Sequence, residues 1–183
     1  MRYFIAFVTA LGLLFLLVFL LFHSGGSKPK ITTKSLATYA NSSTQSQLTI
    51  DGPINAEQSH QAVRITVAND QVTFEQIQGY QGSVKNLQSF ASNQDAYVNF
   101  LLALQHAGFT LGNNASALKD ERGYCPLGDR YIFRLTQNGQ DLERYWATSC
   151  GKPKTYLGSI SLTLALFQAQ VPGYNQLVQG IQF

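Results

Sequence analysis

Hydrophobic and polar positions fall into three regimes along the 183 residues. Tyr3 to Phe22 is an unbroken run of 20 uncharged, mostly apolar residues. At about 1.5 Å rise per residue, a helix over this run covers about 30 Å, the hydrocarbon thickness of a bilayer. Residues 1–23 are therefore expected to form one transmembrane signal-anchor, with the bilayer as partner through residues 3–22. Residues 24–46 lack apolar periodicity and end in a Ser, Thr, Ala and Asn-rich tract, which reads as a juxtamembrane stalk. Residues 47–183, about 135 of them, suffice for one domain with a real core.

Within that domain the pattern alternates between two periods. Val63, Ile65 and Val67, then Val72 and Phe74, recur at every second position with polar residues between, as half-buried strands do. Asn69-Asp70 predicts a tight turn that sets Val67 opposite Val72 and Ile65 opposite Phe74. Val84 to Phe90 reads as a further short strand. Ser92 and Asp95 look like a capping box for an amphipathic helix over Asn93–Ala107. Its stripe is Val98, Leu101, Leu102 and Gln105, widened by Tyr97, Phe100 and Leu104, with Gly108 at the C′ position. Residues 112–123 read as an exposed, charged loop.

Tyr131, Phe133 and Leu135 alternate again up to Asn138-Gly139, the strongest two-residue hairpin signal. Continuous pairing then sets Leu135 opposite Leu142, Tyr131 opposite Trp146, and Arg134 opposite Glu143. A last helix is expected from Ser159 to about Gln170, stopped by Pro172, followed by a turn of helix and a final strand over Tyr174–Phe183. The order hairpin, helix, hairpin, helix predicts an α+β domain: an antiparallel sheet of two hairpins covered on one face by two helices, preceded by the transmembrane helix.

The second hairpin also places the two cysteines. Extrapolating its register brings Cys125 and Cys150 within about a residue of each other at the open end, which favours a disulfide. Such a bond belongs to an oxidising compartment, so the domain is expected outside the cytoplasm, at the cell membrane. Charge around the span points the other way, because Arg2 precedes it while Lys28, Lys30 and Lys34 follow. Ser24, Gly25 and Gly26 leave cleavage after the span open. No cysteine follows the apolar run, which excludes lipoprotein attachment.

Charge narrows the function classes. The chain carries +3 overall. Beyond Lys34 the acidic residues exceed the basic by one, so the domain offers no electrostatic reason to bind nucleic acid. His23, His60 and His106 show no metal-ligand spacing, and two cysteines without a C-x-x-C pair make no recognised zinc site. No cofactor is expected. Asp120, Glu121 and Asp129 lie among Lys119, Arg122 and Arg130 and read as solvated salt links. Asn41-Ser42-Ser43 and Asn114-Ala115-Ser116 match the glycosylation triplet, which matters only in a eukaryotic secretory pathway.

Trp146-Ala147-Thr148-Ser149-Cys150 resembles the strand-ending T-L-x-T-C motif of sortases, which are single-span anchored transpeptidases. That resemblance implies a Cys150 nucleophile with His106 (or His60) as base. The arginine such enzymes carry downstream has no counterpart here, where Lys152 and Lys154 follow. The phrases AYVNFLLALQHAGFTLG, GYCPLGDRYIFRL, ERYWATSCG and ALFQAQVPGY resemble uncharacterised single-span membrane-anchored proteins of small-genome bacteria. They imply one exported α+β domain with a C-P-x-G to S-C-G disulfide. In architecture alone the element order resembles protease inhibitors of the emfourin and subtilisin-inhibitor types, which act through an exposed loop. The leading expectation is a non-catalytic domain that binds an envelope protein or peptide. Its contact candidates are Asn113, Asn114, Lys119 and Asp120 in the loop 113–123, and the aromatic residues Tyr124, Tyr131 and Trp146. The alternatives are the Cys150 enzyme and a structural piece of an envelope assembly.

Overall fold

Val67 stands opposite Val72 and Ile65 opposite Phe74, the register that period-2 alternation predicts. The turn between them closes with neither Asn69 nor Asp70 at positive φ. The computed structural model describes residues 35–41 and 43–181, so the expected anchor over residues 3–22 lies outside the described residues. No helix among the described residues is long and apolar enough to cross a membrane.

Six strands follow in chain order: β1 Thr44–Asp51, β2 Gln61–Val67, β3 Gln71–Gln78, β4 Ser83–Ala91, β5 Arg130–Gln137 and β6 Gln140–Thr148. They form one antiparallel sheet in the order β4-β3-β2-β1-β5-β6. Helices α1 (Gln94–His106), α2 (Ile160–Gln168) and α3 (Tyr174–Leu177) complete an α+β fold. Asn93, not Ser92, caps α1: its Oδ1 accepts the Ala96 N–H at 2.9 Å. The buried stripe of α1 is Tyr97, Phe100, Leu101 and Leu104, an i, i+3, i+4, i+7 set, while Val98 and Leu102 are half-buried at its flanks. Helix α2, expected from Ser159 to about Gln170, spans Ile160–Gln168, and the Ser159 side chain caps it by accepting the Leu162 N–H. No strand follows α3 among the described residues, so the expected last strand is not seen through Ile181.

Two expectations fail for identifiable reasons. The tract read as stalk is part of the fold from Ser35 onward. Leu36–Tyr39 forms a 3-10 turn, Leu36 is buried, and its N–H donates to Gln105 Oε1 on α1 at 2.7 Å. Strand β1 then begins at Thr44 and pairs with both β2 and β5, joining the two hairpins into one sheet. Its inward positions are Thr44, Ser46, Leu48 and Ile50, all buried, and two polar residues among the four disguised the alternation.

The second correction concerns β6. Gln137 pairs with Gln140 and Thr136 with Asp141, but a bulge then leaves Leu142 unpaired and sets Leu135 opposite Glu143. One extra residue moves every later side chain of the strand to the other face. Ile132, not Tyr131, therefore faces Trp146, and Arg134 faces Arg144. Tyr145 and Ala147 join the core beside Phe133, Leu135, α1 and α2, while Arg144 and Trp146 turn to the opposite face.

The sheet is thus two-sided. One face, carrying Leu48, Ile50, Val63, Ile65, Val67, Phe74 and Phe133, packs with Phe100, Leu104 and Phe167 of the helices. Among the described residues the other carries no α-helix and is bordered by loops, one of which holds a 3-10 turn over Ser116–Leu118.

Candidate functional site

The open face reads directly from the register. Alternation puts Gln47, Thr49 and Asp51 of β1 outward, flanked by Ala62, Arg64 and Thr66 of β2 and by Arg130, Ile132 and Arg134 of β5. Across β6 the bulge adds Arg144 and Trp146. A cleft of about 580 Å³ opens here, floored by Ala62, Ile77 and Ile132, with Ile54 and Tyr80 among its lining residues. Every arginine among the described residues lines it: Arg64, Arg122, Arg130, Arg134 and Arg144. Two carboxylates, Asp51 and Glu121, are also in the lining. A concave apolar floor with a few convergent polar groups is the usual form of a ligand site.

Each arginine is held by one carboxylate. Arg64 Nη1 donates to Glu75, its register partner on β3, at 3.1 Å. Arg134 meets Asp141 Oδ1 at 2.8 Å through both Nε and Nη2. Arg144 Nη2 reaches both Glu121 oxygens at 2.7 and 2.6 Å, and its Nη1 donates to the Lys119 carbonyl at 3.2 Å. Arg122 forks onto Asp120 and holds that exposed carboxyl down to about 2. Planar forks fixed in this way present their remaining N–H groups in set directions, which a lysine does not do.

Arg130 differs in being almost wholly buried, at 2% exposure. Its Nε donates to Asp51 Oδ2 at 2.9 Å and its Nη2 to the Gly52 carbonyl at 2.5 Å. Two buried donors on these walls, Arg130 Nη1 and Arg64 Nε, have no hydrogen-bond partner. Asp51 also meets His60: the ring Nε2 lies 2.9 Å from Oδ1, and Nδ1 lies 3.1 Å from the Pro53 carbonyl. His60 stacks on Tyr80 with centroids 4.1 Å apart. The Tyr80 hydroxyl donates to the Asn55 carbonyl at 2.8 Å and accepts the Asn55 N–H at 3.0 Å. The wall formed by the β1–β2 loop and the β3–β4 turn is therefore clasped from within.

The opposite wall is the loop expected to be exposed. Trp146 anchors it from below: the indole N–H donates to the Leu118 carbonyl at 2.8 Å, and the ring stacks on Tyr124 at 5.3 Å. Asn113, Asn114 and Lys119 gather with Trp146 around a second hollow of about 460 Å³, beside Leu142 and Arg144. Asp120 is exposed and engaged with Arg122, and Tyr124 is half-buried. Trp146 itself is buried, at 1% exposure. Tyr131 lies on the helix side of the sheet, with its hydroxyl donating to Asp129 Oδ2 at 3.3 Å, and does not join this group. Sequence reasoning passed over the arginines because it took them one at a time, as solvated partners of nearby acids. Their shared outward parity on β2 and β5 was the available signal.

Cys125 and Cys150 are joined, with Cα atoms 5.8 Å apart. Cys150 therefore holds no thiolate in this state, and His106 lies exposed in the last turn of α1. Among the described residues no group of three or more His, Cys, Asp or Glu is placed to hold a metal ion. No protein-family model matches the chain, and no curated protein matches it.

Proposed function

We propose that this chain is a non-catalytic interaction module, held at the cell membrane by residues 3–22 with its domain outside the cytoplasm. Its partner binds on the open face of the sheet. The observation that carries this reading is the segregation of arginine: a domain whose acids outnumber its bases by one turns all five of its arginines into one cleft. Solubility alone needs no such gathering, and five oriented forks above an apolar floor suit recognition. The Cys125–Cys150 bond supports an oxidising compartment and leaves the sortase-like alternative without its nucleophile.

The test is site-resolved photocrosslinking with the full chain in its producing cell. A benzophenone amino acid at Thr49 marks the cleft, and one at Ala165, exposed on α2, marks the helix face. Adducts from position 49 and none from position 165 are expected, the recovered partner then binding the purified chain. Adducts from position 165 alone would move the interaction face to the helices.

A further inference from the structure

Two half-buried arginines stand on either side of β1. Arg64 lies beside Thr49 on β2, and Arg134 lies beside Gln47 on β5. With neighbouring strands about 4.8 Å apart, two strand spacings separate their backbones, and both long side chains can reach the space over Thr49. Both are about a third exposed, at 36%. Each is gripped from outside the cleft, Arg64 by Glu75 and Arg134 by Asp141, neither of which lines it. Each arginine keeps a donor that its acid does not engage. Arg64 Nε has no partner, and Arg134 Nη1 makes only a long 3.5 Å contact with Gln47 Oε1 on β1.

Charge in the lining agrees. The five guanidinium groups are matched one for one by Asp51, Glu75, Asp120, Glu121 and Asp141, but only Asp51 and Glu121 are in the lining, so N–H donors outnumber carboxylate acceptors on the cleft side. The acids behind Arg64 and Arg134 orient the forks, so a ligand oxygen meets prepaid geometry instead of two wandering side chains.

A strip of exposed apolar surface adjoins these arginines. Ile54 and Tyr80 are 45% and 50% exposed, and Val84 and Leu87 on β4 are 46% and 59% exposed. Val84 and Leu87 pair with Ile77 and Glu75 and so share the open face. β4 is an end strand of the sheet. At the other end, β6 is occupied near Trp146, whose carbonyl accepts the N–H groups of Thr155 and Tyr156 at 2.9 Å. A chain passing from β4 across the face thus meets apolar side chains first and guanidinium forks next.

Resting on the reading above, we infer that the cleft takes an acidic polypeptide segment, seating a side-chain carboxylate between Arg64 and Arg134 and an apolar neighbour against Tyr80 and Leu87. The carboxylate accepts from both forks, with the Thr49 hydroxyl beside it.

The experiment is calorimetric titration of the full chain in neutral-detergent micelles. The probe is an end-capped dodecapeptide of alternating glutamate and leucine; the control carries glutamine for glutamate. The glutamate peptide is expected to bind at least tenfold more tightly than the glutamine one. Arg64→Gln and Arg134→Gln should each weaken it about tenfold, Arg64→Lys should recover only part of that loss, and Lys85→Gln on the β4 bulge should leave it unchanged. Melting curves matching the parent establish that the variants fold. Equal binding of both peptides, or binding indifferent to Arg64 and Arg134, overturns the carboxylate seat while the cleft remains a binding face. No binding of either peptide overturns the acidic polypeptide, and crosslinking at position 49 then decides whether the broader reading falls with it. Displacement of the peptide by equimolar citrate or inorganic phosphate overturns the polypeptide in favour of a small anion.

Discussion

Asp51 holds Arg130 through two guanidinium nitrogens, at 2.9 Å from Nε and 2.7 Å from Nη2, where the arginine is 2% exposed. The same carboxylate meets His60 at 2.9 Å, so one acid serves two buried bases at the root of the cleft. Removing one member of a buried pair costs about 3–5 kcal/mol, because the other is left charged and without its partner. Asp51→Ala should lower stability by about 3 kcal/mol in urea unfolding. Arg130→Met, which keeps much of the volume and leaves Asp51 with His60, should cost less than half as much.

The β6 bulge makes a sharper forecast. Leu142 is the unpaired residue and is 40% exposed, so it contributes mainly by offsetting the register. Its deletion would let Asp141 and Glu143 continue the ladder with Thr136 and Leu135, keeping Tyr145 in the core and Trp146 on the open face. We expect the deletion variant to fold with a loss of about 1 kcal/mol or less and an unchanged tryptophan emission maximum. A flipped strand would move Trp146 to the helix side of the sheet and break its hydrogen bond to the Leu118 carbonyl, so a shifted emission maximum would contradict this account.

The Cys125–Cys150 bond closes a loop spanning 25 residues. On chain-entropy grounds that constraint contributes about 3 kcal/mol. Replacing both cysteines by alanine should lower the unfolding free energy by about that amount. Cys125 also sits at φ 52°, a conformation that costs an L-residue about 1 kcal/mol. Cys125→Gly with Cys150→Ala should therefore be more stable than the double alanine variant, by up to about 1 kcal/mol.

Asp129 carries the clearest dependence on pH. Burial pushes its carboxyl up from the ordinary value of 3.8, opposed by the Tyr131 hydroxyl and Arg130. The folded chain therefore binds this proton more tightly than the unfolded chain. Its contribution to stability improves as pH falls through the raised folded value, and stops changing below about 3.8. At neutral pH Asp129→Asn should raise stability by at most about 1 kcal/mol, since the group is partly solvated. The gain should shrink as the solution is acidified towards pH 4. Thermal unfolding of both proteins across pH 4–8 checks the sign.

Periodicity was a good guide wherever a strand buried one uninterrupted apolar face. Val63 to Phe74 gave their hairpin register, and Tyr97 to Leu104 gave a helix, because hydrophobic side chains marked each inward position. It failed at β1, where Thr44 and Ser46 occupy core positions and look like linker. It failed again after Asp141, since no residue type announces a bulge and one unpaired leucine reversed the faces of Arg144 and Trp146. The cleft inherited both failures. Its central strand was partly assigned to a stalk, and one of its arginines was assigned to the wrong side. Arg64 and Arg134 remained legible, as outward residues in strands correctly found, but their convergence needed β1 between them.

Arginine footprinting addresses the interaction face most directly. Phenylglyoxal labelling, quantified by mass spectrometry, would be compared between the purified full chain in micelles and the same chain in native membranes. We predict that Arg64 and Arg134 react in the purified chain and are protected in membranes, while lysine-directed labelling of Lys85 and Lys152 stays the same. Equal reactivity of Arg64 and Arg134 in both settings would contradict a partner seated on the open face.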